Sequence, residues 1–211
     1  IDREHMESYG SWENLQEAFV DFANKVPFYG AVVACVADRP VRELLPRIMR
    51  RVITYGLGAP HDLPAGRAQD LPQVQARDAV FESFSCRCVV MQREKGVDTE
   101  LGRLQLNVPG RHNLLNALAA VAVGLETGVP FLRIASALEE FRGAERRFDR
   151  RGEARGIMVV DDYGHHPTEI AAVIEAARGV KRRILVVFQP HRFTRTRDLM
   201  GEFGHALAAA D

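Results

Sequence analysis

Residues Gly156–Glu169 read G-I-M-V-V-D-D-Y-G-H-H-P-T-E and give the clearest indication of how this chain folds. A short apolar run, typical of a buried strand, ends abruptly in ionisable residues, and a helical pattern follows. A second stretch with the same design, Arg182–Arg197, reads R-R-I-L-V-V-F-Q-P-H-R-F-T-R-T-R. In open α/β sheets, ligands bind outside the carboxyl ends of the strands. We therefore predict an α/β fold in which the ends of two neighbouring strands line one crevice. The titratable residues that follow these strands are Asp161, Asp162, His165, His166, His191, Arg192 and Arg195.

The composition is that of an ordinary globular protein with a hydrophobic core. Of the 211 residues, 46% are hydrophobic, and 28 basic side chains balance 28 acidic ones, which gives a formal net charge of zero. This length predicts one large domain or two smaller ones, and the neutral charge argues against nucleic acid or a membrane surface as the main partner. The three cysteines form no disulfide framework and indicate a reducing, cytoplasmic compartment. No apolar run reaches the roughly 18–20 residues of a membrane helix.

The first two thirds of the chain predict a mixed sheet with covering helices. An apolar run at 31–37, a basic helix at 39–51 and a second apolar run at 52–56 form a predicted β-α-β unit. Two further strands, at 81–93 and 99–108, predict an antiparallel hairpin attached to this sheet. Apolar residues recur with helical spacing in three more segments: 11–23, 112–126 and 131–141.

Residues 142–156 interrupt this pattern, because they are charged, contain glycine and have little apolar periodicity. We interpret them as a linker followed by the first residues of a second domain. Beyond them, strand-like segments at 157–161 and 184–189 alternate with helical segments at 167–178 and 196–210. Regular alternation of this kind predicts parallel strands joined by right-handed crossovers.

An acidic pair, Asp161 and Asp162, ends the first of these predicted strands. Such a pair could hold a ribose hydroxyl or a water molecule bound to a metal. Pro167 and Glu169 suit the first turn of the helix that follows. The alternative is structural: a loop with a helix cap and solvated histidines.

Two arginines, Arg192 and Arg195, follow the second predicted strand and lie three residues apart, so they share one face if this segment is helical. Two guanidinium groups suit a carboxylate or a phosphate. Cations are unfavourable at the start of a helix unless an anion lies nearby, which favours an anionic ligand. The alternative is a solvated basic helix start.

The segment Asn107–Asn116 joins a predicted strand to a predicted helix. Asn113 and Asn116 lie on one side of the first helical turn, and carboxamides can pair with both donor and acceptor edges of a base such as adenine. The alternative for Asn113 is that it caps the helix, whereas Asn116 lies too far inside the helix to do so.

Two further observations concern metals and phosphates. His5 lies among acidic residues, where a histidine can be a metal ligand, although a single histidine is more often structural or solvated. The phosphate-binding pattern G-x-x-x-x-G-K-[ST] does not occur in the sequence.

Five segments together resemble the Mur ligase family, and they follow one another in the family's order along nearly the whole chain. The last two resemble the alanine-adding members of the family most closely. The segments are D-R-E-H-M-E-S-Y-G (2–10), L-N-V-P-G-R-H-N-L-L-N-A (106–117), G-A-E-R-R-F-D (143–149), V-V-D-D-Y-G-H-H-P-T-E (159–169) and Q-P-H-R-F-T-R-T-R-D-L (189–199).

The resemblance implies a division into parts of two domains. Residues 1–143 would be the second part of the family's central ATP-binding domain, which has a mixed sheet. Residues 144–211 would be the first part of its Rossmann-like C-terminal domain, which has a parallel sheet and binds the amino acid. The family's phosphate-binding loop, its first metal-binding glutamate and its UDP-sugar domain would then precede Ile1. We therefore expect residues 1–211 to be inactive alone.

The implied activity is the ATP-dependent ligation of L-alanine to UDP-N-acetylmuramate in peptidoglycan precursor synthesis. In this family the reaction passes through an acyl phosphate and uses magnesium ions, so the expected cofactors are ATP and Mg²⁺. The expected partners are small-molecule substrates, without nucleic acid or membrane, and the sequence does not give the oligomeric state. The alternatives are a murein peptide ligase and a non-catalytic module that binds nucleotide.

The resemblance also implies roles for individual residues, and His5 resembles the family's histidine near the second magnesium ion. The residues that resemble its ATP-binding group are His112, Asn113, Asn116, Arg147 and Asp162. The residues that resemble its amino-acid pocket are Tyr163, His165, Arg192 and Arg195. The last three of these are also the expected catalytic residues, and the role of His165 stays open between base, orienting residue and substrate ligand.

Overall fold

The structure is a computed structural model that describes residues 1–4, 6–58 and 72–211. Within these ranges the strands are β1 (Val32–Cys35), β2 (Val52–Leu57), β3 (Val74–Phe81), β4 (Cys86–Glu94), β5 (Val97–Leu106), β6 (Asp149–Ala154) and β7 (Ile157–Asp161). The helices are α1 (Met6–Tyr9), α2 (Trp12–Asn24), α3 (Arg39–Leu44), α4 (Arg111–Glu126), α5 (Phe131–Glu140), α6 (Pro167–Arg178), α7 (Phe193–Asp198) and α8 (Met200–Leu207).

Five strands form one mixed sheet in the order β1-β2-β3-β4-β5. The first three strands run parallel, and β3, β4 and β5 pair antiparallel. The predicted β-α-β unit and the predicted hairpin are therefore confirmed. The hairpin turns through Lys95 and Gly96, both with positive φ (50° and 83°), as a tight two-residue turn requires.

The core lies between this sheet and helices α4 and α5. Leu114, Leu118 and Val121 repeat at helical spacing along α4 and are completely buried. Val90 of β4 and Leu104 of β5 belong to the same cluster. The packing of α4 on the sheet fixes where its first two turns lie, and these turns carry three of the five residues predicted to bind nucleotide: His112, Asn113 and Asn116.

Two predictions in the first half of the chain differ from the structure. The basic helix at 39–51 ends early, because Pro46 has no N–H to continue the α-helical bonding, and the chain passes into a short 3₁₀ turn at Leu45–Arg47. Strand β3 was not predicted. Its residues Gln75, Arg77 and Asp78 break the apolar run, although Gln75 is buried.

A charged cluster holds the tip of the β4–β5 hairpin. Asp98 accepts hydrogen bonds from Arg93 Nε (2.5 Å) and Nη2 (2.9 Å) and from Gln75 Nε2 (3.2 Å), and it pairs with Arg77. The Arg93 guanidinium, followed by Arg77, holds the pKa of Asp98 below its ordinary value against the opposing effect of burial.

We expect this carboxylate to make stability depend on pH. Because its folded pKa is lowered, its contribution is complete above the unfolded pKa of about 3.9 and is lost as the pH falls through the folded pKa. Asp98→Asn should lower the free energy of unfolding at pH 7 by about 1.5–3 kcal/mol and flatten its decline in acid. Urea unfolding between pH 2 and 7 measures both. A variant as acid-sensitive as the wild type would contradict this assignment.

The C-terminal part contains a second, two-stranded sheet. Strand β6 pairs antiparallel with β7 through a turn at Arg155 and Gly156 with positive φ values of 52° and 76°. Strand β6 lies within residues 142–156, which were predicted to be a linker followed by the first residues of a second domain. The antiparallel pairing also corrects the parallel pairing predicted for 157–161.

The strand predicted at 184–189 is wrong, because this segment pairs with no strand among the described residues. Ile184 and Phe188 pack with α6 and α8, whereas Val187 is fully exposed. The helix predicted at 167–178 is confirmed as α6, and the helix at 196–210 is divided at Leu199 into α7 and α8. The α/β class with a mixed sheet is confirmed. In the described ranges, no helix is long and apolar enough to cross a membrane.

Candidate functional site

A cleft of about 680 Å³ lies between the first turns of α4 and of α6. Its polar lining includes all five residues that the sequence predicted for ATP: His112, Asn113, Asn116, Arg147 and Asp162. Its apolar lining includes Leu106, Val108, Ala117, Leu138, Phe141 and Val173. Apolar walls with a few convergent polar groups, in a volume of roughly 300–1,000 Å³, are typical of small-molecule sites.

Gly110 sets the start of α4 and so the direction of His112. Its φ is +94°, which favours glycine, and a Cβ at this position would lie 2.7 Å from the His112 ring and 3.2 Å from the Ala176 side chain. A side chain at this position would therefore strain the backbone, displace the His112 ring and crowd the contact between α4 and α6. Gly110 is also the N-cap residue, without a side-chain cap.

The two carboxamides of α4 differ in their surroundings. Asn113 Nδ2 donates to the carbonyl oxygen of Pro109 (2.7 Å), so this side chain does not cap the helix, and the capping alternative is wrong. Asn116 is exposed on the wall of the cleft, and its side chain makes no hydrogen bond within the described ranges. Its donor and acceptor groups are therefore both available to a ligand.

His112 is held neutral by its position in the wall of the cleft. Burial lowers the pKa of its ring below the ordinary value, and the Arg147 cation lowers it further, against the opposing charge of Asp162. A neutral imidazole has one donor and one acceptor nitrogen. At neutral pH this ring can therefore hydrogen-bond to a base or a sugar without adding charge to the cleft.

The Asp162 carboxylate stabilises the loop between β7 and α6 through two hydrogen bonds from the backbone. Its Oδ2 accepts from the Phe148 backbone N–H and its Oδ1 from the Gly164 backbone N–H, both at 2.7 Å. Both oxygens therefore already take part in local structure. Each keeps lone pairs for a further donor on the cleft side, such as a ribose hydroxyl.

The residues predicted for the amino acid do not line this cleft. The Tyr163 and His165 rings meet edge to face with centroids 5.2 Å apart, and the Arg146 guanidinium lies 4.9 Å from the Tyr163 ring. His165 Nε2 lies 3.2 Å from Glu4 Oε1, the same oxygen that accepts from Arg195 Nη2 at 2.6 Å. Glu4 thus joins His165 to Arg195.

Arg192 and Arg195 both form ion pairs with glutamates of the same chain. Arg195 is only 9% exposed and pairs with Glu4, and Arg192 Nη1 pairs with Glu7 Oε1 at 3.1 Å. Arg192 has a φ of +67° and is the N-cap residue of α7. Both arginines line a second cavity of about 350 Å³, together with Arg3, Met6, Glu7, Gly10, Ser11, Trp12, Asp198, Leu199 and Glu202.

Sequence reasoning missed the acidic partners Glu4 and Glu7. They are more than 180 residues away from the arginines in the chain, so no local spacing indicates the pairing. It also missed Glu169, which it regarded only as a favourable charge in the first turn of α6. Glu169 accepts hydrogen bonds from the backbone of His165 and His166.

The predicted metal ligand His5 lies outside the described residues. Among the residues that are described, no group of three or more histidine, cysteine, aspartate or glutamate side chains forms a metal site.

Two family models match separate parts of the chain. Residues 1–124 match the Mur ligase middle domain, and residues 146–211 match the domain described as "Mur ligase, glutamate ligase domain".

Individual relatives match over the whole chain. Two of them are the UDP-N-acetylmuramate–L-alanine ligases of Solibacter usitatus and Koribacter versatilis, with sequence identities of 48% and 47%. Each match covers 100% of this chain, and the chain spans 42% and 43% of the lengths of these relatives. The crystal structure of UDP-N-acetylmuramate–alanine ligase from Thermotoga maritima has a TM-score of 0.71 and 29% identity, and the match covers 99% of this chain and 42% of that protein. Since the middle-domain match alone covers more than half of the residues, the chain belongs to the Mur ligase family.

Proposed function

We propose that this chain is part of a ligase that uses ATP to join L-alanine to UDP-N-acetylmuramate in peptidoglycan precursor synthesis. The observation that carries the proposal is the convergence, on the cleft between α4 and α6, of the five residues that the family resemblance assigned to ATP. The names of the relatives agree with it, although the chain spans only about two fifths of their length.

In this proposal the cleft between α4 and α6 binds the nucleotide. The adenine ring lies against the apolar wall near Ala117, and the carboxamide of Asn116 pairs with its edge. Neutral His112 and Asp162 take the ribose side, and Arg147 contributes a cation toward the phosphates.

The amino acid binds on the side of Tyr163, His165, Arg192 and Arg195. A guanidinium group can hold the carboxylate of alanine in a fixed direction, which leaves the amine free to react. Because Arg195 and Arg192 already pair with Glu4 and Glu7, the substrate carboxylate has to share or replace these contacts. His165, beside Glu4, is the nearest candidate to orient the amine or to accept its proton.

The chemistry proceeds in two steps that divide one difficult condensation. The muramate carboxylate takes the γ-phosphoryl group and becomes an acyl phosphate, and ADP leaves. The amine of alanine then attacks the acyl carbon, an amide forms, and phosphate and a proton are released. Magnesium would neutralise phosphate charge in the first step.

The catalytic unit extends beyond these residues in our proposal. The sequence lacks the phosphate-binding loop that the reaction requires, so we propose that residues 1–211 alone are inactive. The substrates are small molecules, and the compartment is the cytoplasm, where the sugar nucleotide and a reducing environment for Cys35, Cys86 and Cys88 coincide.

Asn116→Ala tests the nucleotide site in the natural full-length protein. Loss of a neutral hydrogen bond of about 0.5–1.5 kcal/mol should raise the Kd of ATP roughly two- to tenfold and leave the constant for alanine unchanged. Titration calorimetry measures the first constant and steady-state kinetics the second. Asn14→Ala, on α2 and away from the cleft, is the control and should change neither. A raised alanine constant with an unchanged ATP constant would reverse the assignment.

A further inference from the structure

We propose that Glu169 is a positioning residue that fixes Arg147 in the nucleotide cleft and fixes the His165 backbone on the amino-acid side. This inference rests on the proposed function, since it assigns the connection between its two half-sites. Glu169 touches both sides through the two oxygens of one carboxylate. Its role is to hold other residues and not to contact the reacting atoms.

The two oxygens of Glu169 have separate tasks. Oε1 lies 3.3 Å from Arg147 Nη1, on the wall of the cleft between α4 and α6. Oε2 accepts from the backbone N–H groups of His165 (2.9 Å) and His166 (3.2 Å). His165 in turn reaches Glu4, which pairs with Arg195. One side chain therefore joins a residue of the proposed nucleotide site to a residue of the proposed amino-acid site.

Helix capping explains only one of these tasks. A glutamate at the third position of α6 forms a capping box with His166, and a glutamine can do the same. The contact with Arg147 adds nothing to the cap, because Arg147 comes from the segment before β6, 22 residues earlier. A glutamine would keep the cap and lose this ion pair, so the two tasks can be separated by mutation.

An acidic partner such as Glu169 helps Arg147 to bind a phosphate, because it holds the guanidinium in the cleft. An unrestrained arginine side chain has high rotamer entropy, which a ligand would otherwise have to overcome on binding. The ion pair with Glu169 restricts the guanidinium before the nucleotide binds. The Arg147 side chain is about half exposed, so other N–H groups of its guanidinium can face a phosphate.

The charge state of Glu169 agrees with this role. Burial raises its pKa, but hydrogen bonds from the His165 backbone and from Arg147 outweigh burial, and the net pKa lies below the ordinary value. The carboxylate is therefore charged at neutral pH, and its hydrogen bonds to Arg147 and to the backbone of His165 and His166 hold it in place.

The test is a double-mutant cycle on ATP binding in the natural full-length protein. Glu169→Gln should raise the Kd of ATP about two- to fivefold, as expected for a partly exposed ion pair of up to about 1 kcal/mol. Arg147→Met should raise the Kd by at least as much. In the Arg147→Met background, Glu169→Gln should have no further effect, because the residue it positions is gone. Calorimetry with ATP alone measures all four constants.

Two more variants separate positioning from a general loss of structure. Glu169→Gln should leave the melting temperature and the KM for alanine unchanged. Glu169→Ala also removes the helix cap, so it should lower the melting temperature and raise the KM for alanine. Glu140→Gln is the matched control: it removes the same charge at the end of α5, makes no ion pair within the described ranges, does not line the cleft and should leave ATP binding unchanged.

The possible outcomes distinguish this inference from the proposed function. If Glu169→Gln weakens ATP binding equally in both backgrounds, Glu169 acts on the nucleotide directly and the inference is overturned. The same holds if Arg147→Met weakens binding and Glu169→Gln does not. If the wild-type protein does not bind ATP, or if Arg147→Met leaves binding intact, the proposed nucleotide site itself is wrong.

Discussion

Replacement of Arg195 by alanine in the natural full-length protein should raise the constant for L-alanine roughly ten- to hundredfold. A charge-assisted hydrogen bond contributes about 1.5–3 kcal/mol, and the Arg195 side chain is only 9% exposed, so solvent screens it little. The Kd of ATP should change little, because the nucleotide cleft is lined by other residues. Steady-state kinetics with varied alanine and titration calorimetry with ATP measure the two constants.

Two comparisons make this result specific. Arg195→Lys should restore only part of the binding, because an ammonium group lacks the two-pronged geometry of the guanidinium. Arg197→Ala is the control, since Arg197 is exposed and pairs only with its neighbour Asp198 among the described residues. An unchanged alanine constant with a raised ATP constant would mean that Arg195 serves a phosphate group.

Leu118→Ala should lower the free energy of unfolding of the natural protein by about 2–5 kcal/mol. Leu118 is 0% exposed in the middle of α4, where it packs into the core between the sheet and α5, so truncation removes buried surface and leaves a cavity. Urea unfolding measures the change. Leu132→Ala on α5, where the leucine is 79% exposed, should change stability by less than about 0.5 kcal/mol. Equal losses in both variants would show that α4 does not form the core.

Local sequence signals predicted the elements that carry the site. Helix α4 has a continuous apolar face behind P-G-R-H-N, and helix α6 has proline and glutamate in its first turn, so both starts could be predicted within one residue. These two helix starts form the cleft between α4 and α6, and for this reason the residues predicted for ATP converge in the structure.

Tertiary context explains where prediction was wrong. Residues 184–189 have the apolar composition of a strand, but only Ile184 and Phe188 find partners, on α6 and α8. Strand β3 has polar residues in its interior, and its pairing with β2 and β4 brings Gln75 and Arg77 to Asp98 on the neighbouring hairpin. Periodicity within one segment contains neither kind of information.

The same limit applies to the charged residues of the site. The sequence pattern favours an anionic ligand for Arg192 and Arg195, and in the structure Glu4 and Glu7 supply the anions. Pairing across more than 180 residues depends on the folded chain and has no local pattern. The arginines therefore stay a proposed substrate site, in which alanine has to compete with the chain's own carboxylates.

Phosphate release from ATP by the natural full-length protein tests the proposed activity most directly. With magnesium present, release should require both UDP-N-acetylmuramate and L-alanine and reach the usual enzymatic range of about 1–1,000 per second, whereas residues 1–211 alone should release none. Release that a tripeptide supports in place of alanine would instead indicate a murein peptide ligase. Binding of ATP without release under any of these conditions, or full turnover by residues 1–211, would contradict the proposed ligase activity and its dependence on the rest of the protein.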